Sequence, residues 1–276
     1  MMRRWVPLGL ALVGVLMAVG LYQLPKVVVD DGEEVMAGTA EMPEASATEP
    51  NAHLAPMAPP VRAQIEQLRQ KWSASENSPN FSIFADSLAA VYFRSAWYDS
   101  AAYFAEIVVE QSPTDIQALT QAGNYYYEAF SFASNGEVQA YSAVKAQQYL
   151  EQVLEQQPEN LEAKAKLGLT YVVSTNPMQG VLMLREVVEA DPDNVLALFN
   201  LGMLSRQSGQ MDKAVERFEN VVAVEPGNLQ ARFFLGLTHQ EMGNNQAARA
   251  TYEELLDLTR DPAVIQAVNA QLESLE

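Results

Sequence analysis

Few residues in this chain have the types and spacing needed for covalent or metal chemistry. It contains two histidines, His53 and His239, and no cysteine. Disulfides, thiolate catalysis, Cys-type zinc sites and multi-His metal sites are therefore excluded. Neither a phosphate-cradling glycine loop nor a nucleophile–base motif occurs, and the acidic residues fall mainly on solvent faces and caps. The inventory predicts no enzyme, with no catalytic, cofactor-binding or metal-binding position. A different chemistry is plentiful. Asn and Gln can each donate to and accept from a peptide backbone, and Phe, Tyr and Met supply apolar pockets beside them. Whether such side chains converge depends on the elements that carry them.

Charge narrows the partners. The chain has 17 basic against 35 acidic residues, a net charge of −18. Its own field opposes phosphate contacts, so no nucleic-acid partner is expected. Basic or neutral partners are favoured instead.

Residues 1–24 form a separate object. From Trp5 to Leu24 there is no charged residue, and Arg3 and Arg4 precede the run. Twenty residues at about 1.5 Å each span about 30 Å of hydrocarbon. With the basic pair on its N-terminal side, the segment predicts a transmembrane signal-anchor, N-terminus cytoplasmic, and everything later on an exported, periplasmic-like side. Ala18 and Gly20 also fit a cleavable signal peptide, although its apolar core is usually shorter. Both readings export the rest of the chain.

Residues 25–60 read as a disordered acidic tether. They hold six prolines and seven acids against one lysine, Lys26, with no sustained apolar period. A coil of that length has an end-to-end distance of roughly 30–36 Å. His53 lies here as a solvated loop residue.

The remainder, 61–276, repeats. Gly202, Ala214, Phe218 and Pro226 return 34 positions earlier as Gly168, Gly180, Leu184 and Pro192. They return 34 positions later as Gly236, Ala248, Tyr252 and Arg260, with Pro262 two residues on. Each unit opens on a helix-capping residue (Asp115, Asn160, Asn194 or Asn228) two positions after a proline. A helical stretch follows, then a break such as "QSGQ", then a second helix ending near the next proline. Small residues at the shared sites let the paired helices approach. One such hairpin cannot bury its apolar face alone, so the pairs must stack.

This pattern resembles the tetratricopeptide repeat, with its 34-residue period and W-x2-L-G-x2-Y…A-x3-F…P signature. "LFNLG" followed by Ala214, Phe218 and Pro226 carries the match most closely; Leu198 replaces the large aromatic, and Ser205 and His239 take the Tyr slot. The template reveals a unit at 82–115 through Leu88, Tyr92, Ala101 and Pro113, with Ala89 in the glycine slot. A second, at 116–160, runs through Leu119, Gly123, Tyr126, Ala146 and Pro158. Units at 161–194, 195–228 and 229–262 follow. Gly123 to Ala146 spans 23 positions where neighbouring units span 12, which predicts an overlong helical hairpin shared equally by its two helices. Amphipathic segments at 61–75 (Val61, Ile65, Leu68, Trp72) and 263–276 (Val264, Ala267, Val268, Leu272) predict cap helices. The expected fold is all-α: a solenoid of about five helix pairs with flanking caps, plus the N-terminal transmembrane helix.

The resemblance implies that the first helix of each pair lines a concave groove. On that geometry the candidate peptide-contacting residues are Phe93, Asn124, Tyr127, Phe199, Asn200, Met203, Arg206, Phe233 and Gln240. The two-carboxylate clamp of chaperone-binding relatives is not expected, because Asp86 and Ala90 stand where it needs Lys and Asn. The function implied is a membrane-tethered scaffold holding a protein or peptide client. Its layout resembles bacterial repeat proteins that present apocytochromes for haem attachment. A homo-oligomer built from the convex face and long hairpin, with no separate client, is the alternative.

Overall fold

The computed structural model describes residues 57–174 and 176–276. The apolar N-terminal segment and the tether up to residue 56 lie outside the described residues. Among the described residues there are twelve α-helices and no strand, and no helix is long and apolar enough to cross a membrane. The helices gather into two compact units, whose described residues are 57–174 with 176–190, and 191–276.

The first unit comprises α1 (Pro59–Ala74), α2 (Asn80–Arg94), α3 (Tyr98–Gln111), α4 (Ile116–Ser131), α5 (Gly136–Gln156), α6 (Leu161–Val172) and α7 (Pro177–Ala190). The second comprises α8 (Val195–Gln207), α9 (Met211–Val224), α10 (Leu229–Glu241), α11 (Asn245–Leu258) and α12 (Pro262–Glu273). Local chemistry sets the starts. The side chains of Asp115, Asn160, Asn194 and Asn228 accept backbone N–H bonds from Gln117, Ala163, Ala197 and Ala231, satisfying donors left open in the first turn. Short hairpins turn through one left-handed residue: Gly209 (φ 74°), Gly243 (φ 77°) and, at the matching place between α2 and α3, Ala96 (φ 60°).

Packing explains the repeat. A Cβ built on Gly202 would lie 2.8 Å from the Phe218 ring, and one on Gly236 would lie 2.5 Å from the Tyr252 ring. Each glycine on the first helix therefore seats the aromatic of the second. Phe218 and Tyr252 are fully buried, worth about 1.5–3 kcal/mol each in apolar burial. In the α6–α7 pair the large residue is Leu184, and the helices meet backbone to backbone. A Cβ on Gly180 would come 2.3 Å from the Gly168 carbonyl oxygen. All ten predicted packing positions (Gly123, Ala146, Gly168, Gly180, Gly202, Ala214, Phe218, Gly236, Ala248 and Tyr252) are buried.

The long hairpin departs from the equal sharing expected of it. α4 has 16 residues and α5 has 21, against 13 and 14 in α10 and α11. The extension goes chiefly to α5, because the tip is pinned at both sides. Phe132, the C-cap of α4, stacks on Tyr98 at 4.9 Å, and Asn135 caps the first turn of α5 through Val138 N–H at 2.8 Å. In the first unit α1 buries Ile65 and sets Trp72 against Phe81 and Phe104, both at 5.2 Å. In the second, α12 buries Val268.

Candidate functional site

On α4 the side chains of Gln117, Thr120, Gln121 and Asn124 share one face, at the i, i+3, i+4 and i+7 spacing of a helix. With Asp86 and Ala90 of α2, Ile116 and Tyr125 of α4 and Gln157 beyond α5 they line an open cleft of about 580 Å³ in the first unit. Asp86 is its charged member. Gln121 Nε2 donates to Asp86 Oδ1 at 3.0 Å and to Tyr125 Oη at 3.2 Å, joining the two helices across the cleft. Phe93 stacks face to face on Tyr125, with centroids 4.3 Å apart and planes at 16°. The aromatic run continues through Tyr98 to Phe132. Burial raises the Tyr125 hydroxyl, and the Asp86 charge adds to this against Gln121 and Arg94.

Lys166 of α6 stands beside Asn124, outside the lining. Its Nζ donates to Asn124 Oδ1 at 2.8 Å and to Glu162 at 2.7 Å, and lies 5.6 Å from the Tyr127 ring centroid. Burial pushes the Tyr127 hydroxyl up to about 12. Burial also raises the Glu128 carboxyl, partly offset by Lys166. Of the nine sequence-predicted contact residues, the first unit thus holds Phe93, Asn124 and Tyr127, all half-buried. Phe93 and Asn124 border the cleft, and Tyr127 packs beneath Lys166.

The other six lie in the second unit, also half-buried, and their side chains are engaged within it. Phe199 and Met203 pack on the core of Phe218 and Phe234, and Phe233 sits 6.1 Å from Tyr252. Asn200 Nδ2 donates to the Leu196 carbonyl of its own helix at 2.8 Å. Arg206 Nε bonds Glu241 at 3.1 Å, with the guanidinium over Phe234. Gln240 accepts from Tyr252 Oη at 3.0 Å and donates to Ser274 Oγ at 2.8 Å.

Two features escaped the sequence reading. Tyr125 follows the candidate Asn124 by one position, and its stacking on Phe93 together with the hydrogen bond from Gln121 holds it at the cleft. The second is Glu106 on α3, which accepts from Lys145 Nζ at 2.6 Å, from Tyr149 Oη at 2.8 Å and from Tyr126 Oη. Burial would raise this carboxyl, but the three hydrogen bonds outweigh it and hold it below the ordinary range. Lys145 is correspondingly raised, its bond to Glu106 overcoming burial. The available signal was a lone Glu inside the apolar run "AAYFAEIVV". His239 has a buried Nδ1 with no partner, and no group of His, Cys, Asp and Glu among the described residues could hold a metal ion.

Two tetratricopeptide repeat profiles match the chain, over residues 183–216 and 205–272. A tetratricopeptide repeat protein from Parabacteroides merdae ATCC 43184 superposes with a TM-score of 0.59 at 17% identity, covering 77% of this chain and 79% of that one. The MamA protein superposes with a TM-score of 0.50 at 17% identity, covering 65% and 92% respectively. No curated protein matches in sequence. At such identities the structural likeness speaks to the fold, and it agrees with the matched repeats, the capped helix pairs and the glycine-seated aromatics. The chain carries tetratricopeptide repeats over residues 183–272, and its described helix pairs have the fold of tetratricopeptide repeat proteins.

Proposed function

We propose that the protein is a non-enzymatic scaffold that binds a protein or peptide client along the first helices of its pairs. In this reading the N-terminal apolar segment tethers it to a membrane, with the repeats on the exported side. The observation that supports client binding is the lining of the α2–α4 cleft. The Gln117 side chain and Asn124 Nδ2 make no hydrogen bond among the described residues, beside the stacked Phe93–Tyr125 pair. Amides with unused donors next to an aromatic platform suit an extended backbone and its side chains. Presentation of exported clients for assembly, as in cytochrome maturation, is the role this layout suggests.

Site-specific photo-crosslinking in cells tests client binding. A photoreactive residue at Gln117 should give a discrete heteromeric adduct, and one at exposed Leu182 on α7 should not. Equal yields from both positions, or none from Gln117, would reject the groove. An adduct at twice the chain's own mass would support self-assembly instead. For the tether, the protein should stay with membranes through alkaline carbonate washing and be released when residues 5–24 are deleted.

A further inference from the structure

The cleft between α2 and α4 carries one charged side chain amid amides and an aromatic ring, and this combination favours a particular occupant. Asp86 uses Oδ1 to accept from Gln121 and leaves Oδ2 without a partner among the described residues. Gln121 also bonds Tyr125 Oη, so carboxylate and ring are held to one another through a single amide. Phe93, stacked behind Tyr125 at 4.3 Å, fixes the ring that borders the cleft. A carboxylate beside an aromatic face is the arrangement that receives a cationic side chain, by charge-assisted hydrogen bonding and cation–π attraction. The protein does not fill that role itself: Lys166 is taken up by Glu162 and Asn124, and Arg94 stands outside the lining. A terminal carboxylate, in contrast, would meet Asp86 as a like charge within a chain already at −18.

We infer that the cleft selects an extended peptide segment carrying an internal arginine or lysine, whose cation meets Asp86 against the Tyr125 ring. This rests on the peptide-binding reading of the same face and specifies which peptide it takes. The amides of Gln117 and Asn124 hold the backbone on either side, and volume for one long side chain is provided where Ala90 keeps the floor low.

The test is selection of random dodecapeptides, displayed with blocked termini, on the full-length chain. It is repeated on Asp86→Asn, on Asp86→Lys and on Gln117→Trp, which fills the cleft from an exposed position. Peptides retained by the wild type and lost on Gln117→Trp should be enriched in Arg and Lys. A synthetic copy of one such peptide should bind Asp86→Asn about tenfold more weakly and lose most of its salt dependence, and its Arg→Gln version should lose as much. Asp86→Lys should select acidic peptides instead; its circular dichroism should match the wild type, since Asp86 is exposed. Cleft-binding peptides without basic enrichment, or equal binding by all Asp86 variants, would overturn the inference while leaving the groove standing. Recovery of no cleft-dependent peptide would overturn both.

Discussion

Gly180 and Gly227 show what one methyl group means at two places in this chain. A Cβ at Gly180 would strike backbone atoms that cannot swing away, whereas Gly227 has nothing within 4 Å. Gly180→Ala should cost about 3 kcal/mol. Gly202→Ala, which meets the side-chain ring of Phe218 rather than backbone, should cost about 1–2 kcal/mol. Gly227→Ala should be neutral or gain up to about 0.5 kcal/mol by restricting the unfolded chain. Urea unfolding of the three variants would check this order. Ala96 makes the converse case: it holds the left-handed turn position that Gly209 and Gly243 fill in later hairpins. Ala96→Gly should therefore raise the melting temperature, by relief of about 1 kcal/mol of backbone strain; a lower melting temperature would contradict it. The sequence made these packing roles legible because each glycine meets its partner on the adjacent helix of the same pair. It did not make the site legible. Whether Asn200 faces a ligand or its own helix, and whether Gln240 is spent on Ser274, depends on rotamers and on a residue 34 positions away.

At the level of elements, the long hairpin is tied down from below. Glu106 on α3 receives Tyr126 of α4 and both Lys145 and Tyr149 of α5, so three helices share one carboxylate. Glu106→Gln should cost about 2 kcal/mol at neutral pH, since it strands Lys145 half-buried. The sign with pH follows from the lowered carboxyl. Its stabilisation is fully present above the ordinary value of 4.5 and is lost as pH falls through the lower folded value. Wild type and variant should thus converge in acid and separate at neutral pH. A constant gap from pH 3 to 7 in melting temperature would show that the charge is not responsible. With this tie and the Phe132–Tyr98 stack, amides of residues 124–131 and 140–150 should exchange slowly. The insertion's length announced a longer hairpin; its unequal division could not be read, because Phe132 is matched with Tyr98 only once α3 and α4 pack.

Taken whole, the chain combines an acidic charge of −18 with a repeated helix pair whose first members carry amide and aromatic side chains. The repeat was visible because side-chain size recurs with the two-helix period that stacking demands. The client was not, since the first-helix face obeys no packing rule that would mark a ligand in the sequence. The central claim is that this face, rather than the second helices, receives a peptide. Hydrogen exchange on the full-length chain, with and without a peptide recovered by selection, tests it most directly. Slowed exchange is expected in α2 and α4 on peptide addition, with α3, α5 and α7 unchanged. Slowing confined to α3, α5 and α7 would contradict it.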